Sequence, residues 1–299
     1  MPSQIKVAAV QMDVTLGEKD KNLARILESL EETAREGALL TVFPECALTG
    51  YCFESANEAR PLAEPIPGPS TRRLAEACRE LKAFAVVGLL EADGPRFYNA
   101  CALVGPDGVV AKHRKIHLPF LGVDRFAEPG NEPFAVHQAG PLRIGMIICY
   151  DGSFPESARV LALQGADLIA LPTNWPTGSE PTACFVANSR ALENHVYYVT
   201  ANRVGTERGF RFIGGSRVCH PDGRTLAEET ADREAILYGD VEPEVARRKH
   251  IVRIPGKLEI HRLADRRPEM YGKILEPVDH SPSPRSLHAG VSRPKSEGA

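Results

Sequence analysis

Short apolar runs alternate along the chain with stretches whose apolar residues recur at helical spacing. Residues 5–12 centre on Val7, Ala8, Ala9 and Val10, and 39–43, 84–90, 143–148, 167–171 and 197–201 are similar runs. An unbroken apolar run of this length reads as a strand buried on both faces, which requires helices packed over the sheet. The helical stretches are there. Leu23, Ile26, Leu27 and Leu30 share one face, and Leu74, Ala77, Cys78 and Leu81 form a second stripe behind Ser70 as N-cap. Two more helices are expected over 156–164 and 183–194. Strands 98–104 and 109–113 flank the turn Gly105-Pro106-Asp107-Gly108, and a second hairpin turns at His220-Pro221-Asp222-Gly223. Pro-Asp-Gly is a turn former, and here it recurs 115 residues apart, each time after an extended segment. The expectation is an α/β chain of two similar halves, packed sheet on sheet with helices outside.

Charge and cysteine usage narrow the function classes. The 299 residues carry 36 Lys+Arg against 39 Asp+Glu, a formal net charge of −3. That balance leaves no electrostatic footprint for nucleic acid or an anionic membrane. The longest apolar run, 83–90, falls far short of the roughly 18–20 residues a spanning helix needs. The opening Met-Pro-Ser-Gln-Ile-Lys-Val lacks the basic start, apolar core and cleavage site of a secretory signal. Seven cysteines, at 46, 52, 78, 101, 149, 184 and 219, are an odd number with no C-x-x-C pair. Structural disulfides and a zinc site are therefore not expected, and a reducing cytoplasm is the expected compartment. No Gly/Ser/Pro-rich linker divides the chain internally. Residues 277–299 hold four Pro and five Ser with few apolar residues, too little burial to offset ordering entropy. One globular domain over 4–275 and a disordered tail over 276–299 are expected.

Three segment ends carry reactive side chains. Cys149 closes Arg143-Ile-Gly-Met-Ile-Ile-Cys149 and precedes Tyr-Asp-Gly-Ser-Phe-Pro and a helix. Ligands of α/β sheets collect outside the carboxyl ends of strands, and a strand-to-helix elbow presents a nucleophile there. Taken alone, a free cysteine is more often a small buried hydrophobe. Glu45 ends Leu39-Leu-Thr-Val-Phe-Pro44-Glu45, and Lys115 lies in Lys112-His-Arg-Lys-Ile-His117 just after the first hairpin. Each alone reads as solvated charge. The set reads differently. A thiol needs a base, and His113, His117 and His195 sit in no cysteine-protease signature. A carboxylate base, an ammonium facing an oxyanion and an attacking thiol fill the required roles. The Tyr150 backbone N–H, on the elbow, is the second candidate oxyanion donor.

Thr41-Val-Phe-Pro-Glu45 with Thr49-Gly-Tyr51, His113-Arg-Lys115-Ile-His-Leu118, and Gly145-Met-Ile-Ile-Cys149-Tyr-Asp resemble the three motifs of the nitrilase superfamily of carbon–nitrogen hydrolases. Lys115 follows Glu45 by 70 residues and precedes Cys149 by 34. Phe97-Tyr-Asn99, Phe126-Ala-Glu128-Pro-Gly130, Phe154-Pro-Glu156, Gly165-Ala-Asp-Leu, Arg190-Ala-Leu-Glu-Asn194 and Gly214-Gly-Ser216 also match, so the resemblance covers about 5–250. It implies a four-layer α-β-β-α sandwich, a Glu–Lys–Cys triad free of metal and cofactor, and a homodimer or higher homo-oligomer. By that pattern Glu45 is the general base, Lys115 the oxyanion stabiliser and Cys149 the nucleophile. Glu128 matches a second glutamate that orients the substrate amide and supports Lys115.

Within that resemblance, the residues after the nucleophile carry the substrate information. True nitrilases typically show Cys-Trp-Glu, whereas Cys149-Tyr150-Asp151 is similar to the amidase-type branches. Branches acting on carbamoyl amino acids or ω-amides of keto acids tend to carry Arg or His a few residues past the cysteine. Here the first basic residue is Arg159. A buried substrate carboxylate without a cation costs several kcal/mol. The expected substrate is therefore a small aliphatic or amino-acid-derived amide, neutral or amine-bearing, cleaved through a thioester with release of ammonia or amine. Asp151 is the candidate ammonium partner, and Tyr51, Phe120, Asn174 and Trp175 are candidate pocket residues. The alternatives are a nitrilase giving acid plus ammonia, or an N-carbamoyl-compound amidohydrolase. A non-catalytic scaffold is disfavoured because all three triad residues are present. A thiol oxidoreductase is disfavoured because no resolving cysteine lies near Cys149 in a redox motif.

Overall fold

The computed structural model describes residues 4–277 and 283–287. Strand β1 (Ile5–Gln11) leads through α1 (Lys19–Arg35) to β2 (Ala38–Val42). A single turn, α2 (Ala56–Ala59), and α3 (Pro69–Leu81) precede β3 (Phe84–Asp93). The hairpin of β4 (Arg96–Gly105) and β5 (Gly108–Arg114) completes the first half. The second half begins with β6 (Val136–Ala139) and β7 (Leu142–Met146), then α4 (Pro155–Leu163), β8 (Leu168–Thr173), α5 (Ala187–Asn194) and β9 (Tyr197–Asn202). A small hairpin, β10 (Thr206–Glu207) with β11 (Phe210–Arg211), intervenes before β12 (Ser216–Cys219) and β13 (Thr225–Glu229). Strand β14 (Ala235–Val241) then returns to the first sheet.

The two six-stranded sheets have the orders β14-β1-β2-β3-β4-β5 and β13-β12-β9-β8-β7-β6. Each has three parallel strands, an antiparallel hairpin on one side and a single antiparallel strand on the other. Strands β1-β2-β3-β4-β5 thus correspond to β7-β8-β9-β12-β13, and the two Pro-Asp-Gly turns close equivalent hairpins. The sheets meet through Val7, Ala9, Leu40, Val42 and Val86 on one side and Ile144, Met146, Leu168, Ala170 and Val199 on the other. Alternate residues of the same strands serve the outer cores. Val10, Phe43, Ala85 and Val87 pack under Leu23, Ile26 and Leu30 of α1 and Leu74 and Cys78 of α3. Ile147, Ile169, Leu171 and Tyr198 pack under Ala158 and Leu161 of α4 and Ala187 and Ala191 of α5. Each fully buried Leu or Ile is stabilised by roughly 1.5–3 kcal/mol relative to exposure. The layers are the expected α-β-β-α sandwich of two pseudo-equivalent halves.

Some boundaries differ from expectation. Helix α3 starts at Pro69 with Gly68 as N-cap, a fixed φ that suits the first helical residue. Ser70 therefore lies inside the first turn, and its hydroxyl donates to Glu64 Oε1 at 2.6 Å. The helix expected over 183–194 opens with a π-helical turn, Thr182–Val186, before α5. Strand β3 continues to Asp93, opposite Arg96, so β3 and β4 form a further hairpin. Of the expected tail, Glu276, Pro277 and Ser283 are exposed and Pro284–Leu287 is one helical turn; the rest lies outside the described residues. No helix among the described residues is long and apolar enough to cross a membrane.

Candidate active site

Glu45 follows β2 at a tight turn in which Cys46 takes φ +49°. The turn presses on β3 at Gly88, where a Cβ would come within 2.4 Å of the Pro44 carbonyl and 2.7 Å of the Glu45 Cα. Glycine at 88 is thus what lets the Glu45 turn sit against the sheet. Glu45 is 1% exposed, and its carboxylate is fully buried. A buried carboxylate must be paired, and its partner arrives from the end of β5.

Lys115 is the residue after β5, and its backbone N–H donates to the Asn99 carbonyl at 2.8 Å. Its Nζ lies 2.6 Å from Glu45 Oε1 and 2.5 Å from Asp124 Oδ2. Asn99 Nδ2 spans the two acids, donating to Glu45 Oε1 at 2.7 Å and Asp124 Oδ1 at 2.8 Å. The Tyr51 hydroxyl donates to Asp124 Oδ2 at 2.8 Å, and its ring centre lies 5.7 Å from Nζ. One ammonium and two carboxylates are therefore sealed from solvent. Burial pushes the Glu45 carboxyl above its ordinary value, and Lys115 pulls it only part of the way back. Burial opposes charge on Lys115, yet Asp124 and Glu45 outweigh it and hold the ammonium well above its usual value. Lys115 stays cationic.

Cys149 lies beyond β7, where the extended Ile148 turns into a short 3-10 stretch, Cys149–Ser153. Its φ is +44°, a left-handed conformation that costs a non-glycine residue roughly 1–3 kcal/mol. The residue is half-buried, whereas Glu45 and Lys115 are fully buried, and it packs against both the inter-sheet core and the core under α4 and α5. Burial first, and then the Glu45 charge, push the thiol up to about 12, against the pull of Lys115, the Thr173 hydroxyl and the Asn174 N–H. Held that high, the thiol keeps its proton near neutral pH. Glu45 Oε2 has no hydrogen-bond partner among the described residues, which leaves an acceptor for that proton.

The remaining candidates are distributed differently. Asn174 is buried at the end of β8 and donates through Nδ2 to the Glu45 carbonyl at 2.9 Å. Phe120 lines a cavity of about 270 Å³ with Cys52, Leu121, Gly122, Arg125, Arg208 and Phe210. Tyr51 is fully buried and engaged with Asp124, so it supports Lys115 rather than forming an open wall. Trp175 packs in the core beneath α4 and α5, and its backbone N–H donates to Asn202 Oδ1. Asp151 is fully buried and holds His113, His117 and the Ile148 N–H, leaving no place for a substrate ammonium. Tyr150 is exposed on the elbow, its ring edge-on to Phe154.

The assignment of Glu128 is corrected. Its residue is exposed, and its N–H donates to the Phe97 carbonyl. The Phe126–Gly130 motif acts through its backbone: the Gly130 N–H donates to the Lys115 carbonyl at 2.8 Å, and a Cβ there would meet the Arg114 carbonyl at 2.2 Å. The second carboxylate on Lys115 is Asp124, in the short 3-10 turn Gly122–Arg125. Sequence reasoning passed over Asp124 because nothing local marks it. Asn99 lay in a matched motif without a role. No group of three or more His, Cys, Asp or Glu among the described residues is arranged to hold a metal ion.

A buried acid–ammonium–acid cluster lies beside a strained cysteine, an arrangement suited to acyl transfer through a thiol. Comparison with known proteins agrees. The chain matches the carbon-nitrogen hydrolase family over residues 6–250. It is 42% identical over 248 residues to a nitrilase of Pyrococcus abyssi, covering 83% of this chain and 93% of the relative. It is 32% identical over 252 residues to omega-amidase NIT2 of Homo sapiens, covering 80% and 89%. The crystal structure of an amidase from Nesterenkonia sp. matches with a TM-score of 0.75 at 25% identity, over 92% of this chain and 98% of that one. The chain belongs to the carbon–nitrogen hydrolases of the nitrilase superfamily, and it is an amidase-type hydrolase.

Proposed function

We propose that the enzyme hydrolyses small neutral aliphatic amides to the acid and ammonia or amine, with Glu45, Lys115 and Cys149 as the reacting set. The observation that carries this reading is the doubly paired Lys115: a permanent cation beside a neutral thiol and an acceptor oxygen. Cys149 Sγ attacks the carbonyl carbon while Glu45 takes the thiol proton. The oxyanion is met by Lys115 and the Tyr150 N–H. Glu45 then protonates the leaving nitrogen, the C–N bond breaks, and a thioester remains. Water attacks the thioester, Glu45 accepts its proton, and returning that proton to sulfur releases the acid.

Neutral amides are favoured on charge. With Asp151 fully occupied, the amine-bearing preference loses its partner. The cavity beside Phe120 presents Arg125 and Arg208 alongside Glu54, and the two arginines favour a carboxylate-bearing amide. Both are already engaged, Arg125 with the Phe53 and Gly122 carbonyls and Arg208 with Glu58. A panel of neutral amides, ω-amides of acids, carbamoyl compounds and nitriles, scored by ammonia release, tests the reading. Neutral amides are expected to lead. Turnover confined to nitriles overturns it, and a lead by ω-amides assigns the Phe120 cavity to a carboxylate.

The same reading extends to assembly and place. Val160, Leu163, Tyr271, Ile274 and Leu275 line an open groove of about 640 Å³ together with Arg159, Arg262, Arg266, Glu156, Glu193 and Asp265. An apolar groove edged by both signs of charge suits a second copy of itself, so a homodimer is proposed, read by sedimentation of the full chain. Seven unpaired thiols suit a reducing cytoplasm.

A further inference from the structure

Lys115 and Cys149 come from different sheets, so something must hold the end of β5 against the elbow beyond β7. The Asp151 carboxylate reaches both. Its Oδ2 accepts from the Ile148 N–H at 3.1 Å and meets His113 Nε2 at 3.0 Å. Its Oδ1 accepts from the His117 N–H at 2.9 Å and meets His117 Nδ1 at 2.7 Å. Ile148 is the residue before the nucleophile. His113 and His117 stand two residues either side of Lys115. Phe154 stacks on the His117 ring at 3.8 Å and 15°, and Phe134 stacks on His113 at 5.5 Å, so the rings are fixed from outside the cluster.

We infer that Asp151 is a positioning residue: it clamps the Lys115 segment to the Cys149 elbow and so sets where the oxyanion cation lies relative to the attacking sulfur. All four contacts on the carboxylate come from those two segments, and none from elsewhere on the sheets. Placement of this kind matters to rate, because a displacement of about 1 Å at a reacting pair can cost on the order of a hundredfold.

Asp151→Asn tests it through the acceptor count. Both carboxylate oxygens accept a backbone N–H, so an asparagine must turn its NH2 against either the Ile148 or the His117 N–H. Whichever way the amide points, the bridge between the two segments is cut, and each loses the hold of the other. The kinetic arm rests on the amidase reading. It expects kcat on a neutral amide to fall about a hundredfold with KM within about threefold, while disulfide formation between Cys149 and methyl methanethiosulfonate, which needs no oxyanion, stays within about threefold. His117→Ala, which removes one arm and keeps the backbone N–H, should fold in any case and lose about tenfold in kcat. The second arm is hydrogen exchange, which needs no turnover. Amides of 113–117 and of 148–151 should exchange faster together in Asp151→Asn, with β1, β2 and β8 unchanged. Exchange that quickens on one side only, wild-type kcat in both variants, or kcat and thiol reactivity falling together with folded fraction would each overturn the clamp. A wild-type chain inactive on every amide would overturn the proposed substrate class and leave the clamp to the exchange arm.

Discussion

The two halves share one strand plan and carry opposite chemistry. At the end of β2 the first half places Glu45; at the end of the corresponding β8 the second half places Asn174, whose side chain holds the Glu45 carbonyl. Beyond β5 the first half places Lys115, and between β5 and β6 the connection brings in Asp124. The second half answers with Cys149 beyond β7 and with neutral groups, Thr173 and Asn174, around its sulfur. The first half therefore holds the buried charge around Lys115, and the second holds the Cys149 thiol, the proposed nucleophile, on a strained turn. A repeated fold supplies equivalent strand ends, while charge is concentrated on one side because an ammonium and its acids are stable in the interior only as a packed group. The proposed reaction then depends on how the two halves are packed against each other.

The comparison breaks most sharply at the nucleophile. Cys149→Ser keeps the turn and nearly the same volume, but a hydroxyl is far harder to ionise and Glu45 is a weak base for it. Amide turnover is expected to fall by about four orders of magnitude or more with the melting temperature almost unchanged, a loss of the size seen when a nucleophile is removed from a triad. Steady-state assay beside thermal melting checks it. A serine variant within tenfold of wild type would mean that the second half does not supply the nucleophile.

The sequence disclosed the halves and the three proposed reacting residues unevenly. Glu45 and Cys149 each end an apolar strand, so a change from buried hydrophobe to chemistry is visible in the string itself, and Lys115 is placed by the hairpin before it. The layered fold was legible for the same reason: runs such as 39–43, broken only by Thr41, and 144–148 are almost wholly apolar, as a sheet covered on both faces requires. Asp124, Asn99 and the contacts of Asp151 were not legible. Each depends on how a loop crosses from one sheet to the other, which no local periodicity records. Glu128 was misassigned for the converse reason. Its motif is strong because Gly130 and its neighbours pin the Lys115 backbone, and a glutamate inside a backbone motif looks like a functional carboxylate.

That misassignment gives the next test. Asp124→Asn removes one of the two charges on a buried ammonium, and truncating one member of a buried pair typically costs about 3–5 kcal/mol. The asparagine retains a neutral acceptor, so a fall of about a hundredfold in kcat/KM, near 2.7 kcal/mol, is expected together with a lower melting temperature. Glu128→Gln, at an exposed carboxylate, should change neither by more than about twofold. If the two variants exchange behaviour, the second carboxylate of the site is Glu128 and the first half is wired otherwise than described here.

The smallest effect is a displaced pH limb, and its sign separates the halves. Burial raises the Glu45 carboxyl above its ordinary 4.5. Below its folded value Glu45 is protonated and cannot accept the Cys149 proton, so kcat/KM is present above that value and lost as pH falls through it. The limb belongs to Glu45 coupled with Lys115 and Asp124, not to an isolated acid. The second half contributes no limb near neutrality, because the Cys149 thiol is pushed up to about 12. Wild-type enzyme should therefore show an acid limb above 4.5 and then a plateau through pH 9. Glu45→Gln should abolish the limb and leave a small residual rate that climbs with pH as the thiol ionises unaided. Thiolate absorbance at 240 nm, followed across the same range, is the deciding measurement. A Cys149 thiolate already formed at pH 7 would place the proton-accepting step before substrate binds and would remove Glu45 from its assigned part in the attack.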